Sequence, residues 1–116
     1  MAKLADKRCV PCTQGAEPLK GEELEEKKKE LDPDWRVVDE HHLEREYQFE
    51  DFRQALEFVN EVGELAELEN HHPDICLSYG KVVLQLWTHK IRGLHDNDFV
   101  LAAKIDALRP APDTAQ

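Results

Sequence analysis

The stretch that most restricts how this chain can fold is "DFRQALEFVNEVGELAELEN", Asp51 to Asn70. Phe52, Ala55, Leu56, Val59, Val62 and Ala66 recur at three- and four-residue steps, so they share one side of an α-helix that must lie against an apolar surface. Asp51 can cap this helix and Gln54 completes a capping box. At the far end Pro73 pushes His72 into extended geometry, which stops the helix near Asn70–His71. On both sides of it the apolar period changes to two. Leu43, Arg45, Tyr47 and Phe49 alternate with His42, Glu44, Glu46 and Gln48, and Val82, Leu84, Leu86 and Thr88 alternate with Val83, Gln85, Trp87 and His89. Trp35 to Val38 precedes the first run, and Ile75, Leu77 and Tyr79 precede the second. The pattern therefore predicts two hairpins, turning near Asp39–His41 and at Gly80–Lys81.

Two further helices are expected. "GEELEEKKKEL", Gly21 to Leu31, is built from strong helix formers, with acids first and lysines later, as the helix dipole favours. Only Leu24, Leu31 and the lysine stems give it an apolar side, so it should lie on the surface until Pro33 ends it. A last helix from about Asp96 to Leu108 should bury Leu101, Ala102, Ile105 and Leu108. The order α-β-β-α-β-β-α implies an α+β fold, a four-stranded antiparallel sheet with three helices on one face. Residues 1–20 read as an irregular arm, 21–109 as a single domain and 110–116 as a flexible tail.

Composition narrows the function. A formal net charge of −10 argues against nucleic acid and anionic membrane, both of which call for basic patches. No apolar run approaches the ~20 residues that span a bilayer. The N-terminus, "MAKLADKRCVPC", lacks the apolar core of a secretory signal, which points to a cytoplasmic protein. Cys9 and Cys12 form a C-x-x-C, but the remaining cysteine, Cys76, lies far away in a strand-like run. A structural zinc takes four ligands, and a redox pair should follow a strand, so the cysteines are expected to be dispensable.

The chemistry-bearing residues are histidines. His71 and His72 sit where the central helix gives way to a strand, and His89 closes the last strand run. Glu67 stands four residues before His71, so on a continuing helix its carboxylate could hydrogen-bond that imidazole and fix its tautomer. If the last strand borders the helix end, three imidazoles and one carboxylate could line one pocket, with Trp87 as a wall. Three readings stand at this point: a proton-transfer site, a three-histidine metal site, or a polar helix terminus. A second pair, His41–His42, falls in a predicted turn with no partner nearby in sequence. It is expected to be solvated, so that alanine at either position should change little.

"ENHHPDICLSYGKVVLQLWTHKIRGLHDNDFVLAAKID" closely resembles the pterin-4a-carbinolamine dehydratases. The shared pattern is His-His-Pro, a later aromatic, Thr-His at the strand end, a Gly-Leu turn and an Asp opening the last helix. The likeness extends back to Trp35. It implies loss of water from a 4a-hydroxytetrahydropterin to give quinonoid dihydropterin, recycling the cofactor of aromatic amino-acid hydroxylases, with no metal or organic cofactor. By resemblance His71 and His89 act as acids on the two faces of the pterin, His72 holds the ring, and Glu67 supports His71. Asn70 to His72 and Trp87, Thr88, His89 and Lys90 would line the pocket, with Trp35 near its rim. Asn70 stands where an acid is common in the family, and Trp87 and Lys90 replace the smaller and acidic residues of animal members. The family also implies a homodimer or homotetramer. Its other role is as a non-catalytic partner: animal members promote dimerisation of a transcription factor, and plastid relatives assist assembly of the carbon-fixing carboxylase. Members with only an assembly role tend to lose the histidines, which are present here. A metal-dependent hydrolase is the poorer alternative.

Overall fold

The computed structural model describes residues 17–108; Cys9, Cys12 and the predicted tail lie outside them. Three helices and four strands follow in the order α1 (Gly21–Lys28), β1 (Arg36–Val38), β2 (His42–Gln48), α2 (Phe52–Glu69), β3 (Asp74–Ser78), β4 (Lys81–Leu86) and α3 (Asp96–Leu108). The strands form one antiparallel sheet in the order β1-β2-β4-β3, the architecture that the alternating periods predict. The β1–β2 turn closes with His41 N–H donating to Val38 O at 2.8 Å, and both its central residues, Asp39 and Glu40, have φ of 54°. Positive φ at both central positions marks a primed turn, and the register, which pairs Val38 with His42, leaves Asp39 to His41 between the strands.

Strand alternation decides what the sheet buries. Leu43, Tyr47, Val82, Leu84 and Leu86 point to one side and join a single core with Leu24 and Leu31, Ala55, Phe58 and Val62 of α2, and Phe99, Leu101, Ala102 and Ile105 of α3. Two details differ from the periodic reading. The buried stripe of α2 is Ala55, Phe58, Val62 and Ala66, while Phe52 and Leu56 remain exposed, so the helix is rotated toward Phe58. Leu108 stays at the surface at the end of α3. Trp35, expected at a pocket rim, is instead a core residue with 0% of its surface accessible, its indole Nε1–H donating to Asp106 Oδ1 at 2.8 Å. The polar edge of a tryptophan can be buried once it has such an acceptor.

Residues 17–20 carry no helix or strand, yet they are tied to the domain. Leu19 N–H donates to Leu94 O at 2.8 Å, and Pro18 lies over Gly93 so closely that a Cβ there would sit 2.6 Å from the proline Cβ. Gly93 is thus needed for close approach. Gly93→Ala is expected to lower unfolding free energy by roughly 1–3 kcal/mol, the usual cost of overpacking. Urea titration followed by circular dichroism would check this.

Candidate active site

The end of α2 places the first two histidines. Asn70 adopts the left-handed conformation, φ 54° and ψ 39°, which asparagine tolerates better than most residues. Its N–H donates to Glu67 O and that of His71 donates to Ala66 O, the paired bonds of a Schellman terminus. The chain therefore leaves the helix before His71, and the four-residue relation of Glu67 to His71 no longer brings them together. Glu67 Oε2 instead meets His72 Nε2 at 2.6 Å, on an exposed surface. This corrects the expectation that Glu67 supports His71.

The partner of His71 is Asp98. Its Oδ1 lies 2.7 Å from His71 Nε2, while its Oδ2 accepts from Thr88 Oγ1 at 2.7 Å and from the backbone N–H of His95 at 3.0 Å. Asp98 is 0% exposed, and a buried carboxylate of this kind needs such donors to offset its lost hydration. With Nε2–H donating to Asp98, the Nδ1 of His71 is the nitrogen left to give or take a proton. Asp98 was not singled out from sequence. The signal was its place three residues after His95, from which an acid can reach back to the N–H that precedes a helix.

A second tether brings the His71 loop beside the segment after β4. The antiparallel register pairs Asp74 with Gln85, and counting on past the ladder sets His72 across from Trp87 and His71 across from Thr88. Trp87 Nε1–H donates to Asp74 Oδ2 at 3.3 Å. His89 is not on the strand: β4 ends at Leu86, Thr88 makes a lone bridge to Gly93, and His89–Ile91 form a 3₁₀ turn. There His89 and Lys90 are exposed, and the His89 ring meets Trp87 edge-on with centroids 4.1 Å apart. Asn70 and His72 are exposed and His71 is half-buried, in a loop that the register sets beside Trp87 and Thr88. Trp35, in the core, does not belong to this region.

The second histidine pair is also placed differently from expectation. His41 and His42 are half-buried, with their Nδ1 atoms 3.1 Å apart, and the His41 ring packs at a tilt on Trp87 at a centroid distance of 4.4 Å. A cavity of about 780 Å³ opens elsewhere, between α1 and the β1–β2 hairpin, lined among others by Leu24, Lys28, Val37 and Glu40. No histidine is among its lining residues. Among the described residues, no three His, Cys, Asp or Glu side chains are disposed to share a metal ion, and no helix is long and apolar enough to cross a membrane.

Helices packed on an antiparallel sheet, with imidazoles aimed by carboxylates where α2 passes into β3, define an α+β protein with a candidate proton-transfer site. The chain belongs to the pterin 4 alpha carbinolamine dehydratase family, whose model matches residues 17–108. It is 59% identical over 93% of its length to the whole of a Rubrobacter xylanophilus protein, and 50% identical over 91% of its length to 96% of one from Alkaliphilus metalliredigens. Both carry the name pterin-4-alpha-carbinolamine dehydratase provisionally. Among solved structures it resembles a transcriptional coactivator/pterin dehydratase of Brucella melitensis, with TM-score 0.73 and 32% identity over 78% of this chain and 97% of that one. A pterin dehydratase-like RuBisCO assembly factor of the alpha-carboxysome, at TM-score 0.57 and 23% identity over 66% of this chain and 90% of that one, shares the fold.

Proposed function

We propose that this chain dehydrates a 4a-hydroxytetrahydropterin to the quinonoid dihydropterin, with His71 and His89 as the proton-transfer groups. One observation carries the reading: a fully buried carboxylate, Asp98, aims the imidazole of His71 and also fixes Thr88, the neighbour of His89. Family membership supplies the substrate class.

The reaction asks for little beyond protons in the right places. A proton is delivered to the departing 4a-hydroxyl, the C4a–O bond breaks and water leaves. The N5–H proton is given up, and its electron pair forms the C4a=N5 double bond. One proton enters and one departs, so no oxidant or metal is needed to balance the step. Histidine suits both transfers at neutral pH, since its unperturbed pKa lies near ~6.5. His72, held by Glu67, would orient the ring, with Asn70, Trp87, Thr88 and Lys90 contributing to the walls. The reading extends to a homodimer or homotetramer in the cytoplasm, coupled to an aromatic amino-acid hydroxylase.

The second reading is a partner-binding role, favoured by the twofold description of the Brucella melitensis protein as transcriptional coactivator and pterin dehydratase. Freshly generated 4a-hydroxytetrahydropterin, mixed with the protein in a stopped-flow instrument, separates the two. The expected result is dehydration well above the spontaneous rate and proportional to protein concentration. A rate equal to the spontaneous one would remove the enzyme reading and leave the partner role.

A further inference from the structure

The alternation of β2 and β4 that buries Leu43 and Leu86 sends His42, Glu44 and Gln85 to the other sheet face. Trp87, next along the chain, falls on that face as well. His41 reaches it from the hairpin turn, its ring tilted 42° on the indole with centroids 4.4 Å apart. The same indole meets His89 at 4.1 Å and 69°. Three rings, His41, Trp87 and His89, thus form one connected row.

His41 is firmly placed in this row. Its backbone N–H is bonded to Val38 O at 2.8 Å, and its Nδ1 lies 3.1 Å from that of His42. His42 is backed in turn by Glu44, whose Oε1 lies 3.7 Å from His42 Nε2 and accepts from Gln85 Nε2 at 2.8 Å. His89, by contrast, is exposed in a short 3₁₀ turn, and Trp87 is its ring contact. The Trp87–Asp74 bond is long, at 3.3 Å, and one such bond at an exposed site leaves the indole free to tilt about it.

We propose that His41 is a positioning residue for His89: packed on Trp87, it fixes the indole plane against which the His89 imidazole is held. His71 is held independently, by Asp98, so the effect falls on one of the two proton-transfer groups. The kinetic consequence rests on the dehydratase reading; the geometric one does not. An aromatic ring pair contributes enough that its loss should change a dependent rate by about three- to tenfold.

The test uses His41→Ala and His41→Phe in the full chain, the phenylalanine keeping a flat ring without the imidazole nitrogens. For kinetics, the two 4a-hydroxy stereoisomers are assayed separately. In His41→Ala, turnover of the isomer that depends on His89, identified with His89→Ala, is expected to fall about three- to tenfold. The other isomer should stay within about twofold, and His41→Phe should restore the first. A merely structural role would slow both isomers together. The second readout needs no substrate. The Cε1–H resonance of His89, assigned by its absence in His89→Ala, carries a ring-current displacement from Trp87. It should move toward the position of an exposed histidine in His41→Ala and return in His41→Phe. An unmoved resonance overturns the proposal, as does a moved one with both isomers slowed equally or neither slowed. If neither isomer is turned over by the unaltered protein, the dehydratase reading fails, and the resonance alone decides the placement of His89.

Discussion

Replacing His71 and His89 together by alanine is expected to reduce enzymatic dehydration by at least ~10²-fold, the lower end of what general acid–base catalysis contributes. Either single change should leave part of the turnover, because each imidazole would serve one stereoisomer of the 4a-alcohol. The changes differ in what they do to the fold. His89 is exposed and its loss removes only a contact with Trp87. His71 is half-buried, and alanine there takes away one of three donors to a buried carboxylate. Thr88 and His95 N–H still bond Asp98, so the stability cost should stay within about 1–3 kcal/mol, the range for one lost partner. Stopped-flow rates and thermal unfolding measured on the same samples separate the two effects. A double variant that keeps its rate, or one whose loss is accounted for by unfolding, would refute the roles given to these histidines.

How much of this site could be read from the chain depended on how far apart the partners lie. Local signals served well: the Asp51 cap accepts from Gln54 N–H at 2.9 Å, the first hairpin turns where expected and the second one residue earlier, at Tyr79–Gly80 with Lys81 already in β4, and β2 and β4 alternate as their sequences do. The capping box itself departs in one bond, since Gln54 Oε1 accepts from Glu50 N–H rather than from Asp51. The pairing of Glu67 failed for a local reason too. A four-residue spacing means proximity only while the helix continues, and Asn70 in left-handed geometry breaks it one residue before His71. Asp98 is 27 residues from His71, and nothing in either segment names the other. Its acid could equally have faced water as part of a solvated first turn, beside Asp96. The packing of His41 on Trp87 is likewise a product of sheet register, joining residues of two strands' ends that periodicity places on a face but not in contact. Trp35 shows the converse: an aromatic after a Pro-Asp turn could have reached a rim, and an acceptor at Asp106, on α3, lets its indole be buried.

Arg45→Ala should be the most damaging change outside the histidine region, costing about 3–5 kcal/mol, as removal of one partner of a buried ion pair does. The strand period alone makes the position unusual: Arg45 lies between Leu43 and Tyr47 on the inward face of β2 and is 1% exposed. Its guanidinium Nη1 bonds Asp106 Oδ1 at 2.9 Å, with Asp32 at 3.6 Å and Asp34 at 3.7 Å, and it lies 4.5 Å from the centre of the Tyr47 ring. Asp106 also accepts from Trp35 Nε1 and from Asp32 N–H, so the loop between α1 and β1 is fastened to the end of α3 through this one carboxylate. Burial already pushes the Asp106 carboxyl above its ordinary range; the bonds from Asp32 and Trp35 and the Arg45 charge pull it back only in part. Without Arg45 the carboxyl rises further. The sign of the pH dependence follows. A carboxyl whose folded pKa exceeds its unfolded value binds its proton more tightly in the folded state, so its contribution is favourable in acid and is lost as pH rises through the folded pKa. The deficit of Arg45→Ala relative to the unaltered protein should therefore be largest at neutral pH and shrink as the pH is lowered and Asp106 takes up a proton. Chemical denaturation at several pH values would measure it. A deficit under about 1 kcal/mol, the worth of an exposed pair, would mean that water reaches Asp106 in place of the guanidinium. A deficit that grows in acid would assign the loss to packing against Tyr47 and Trp35 rather than to the stranded carboxylate.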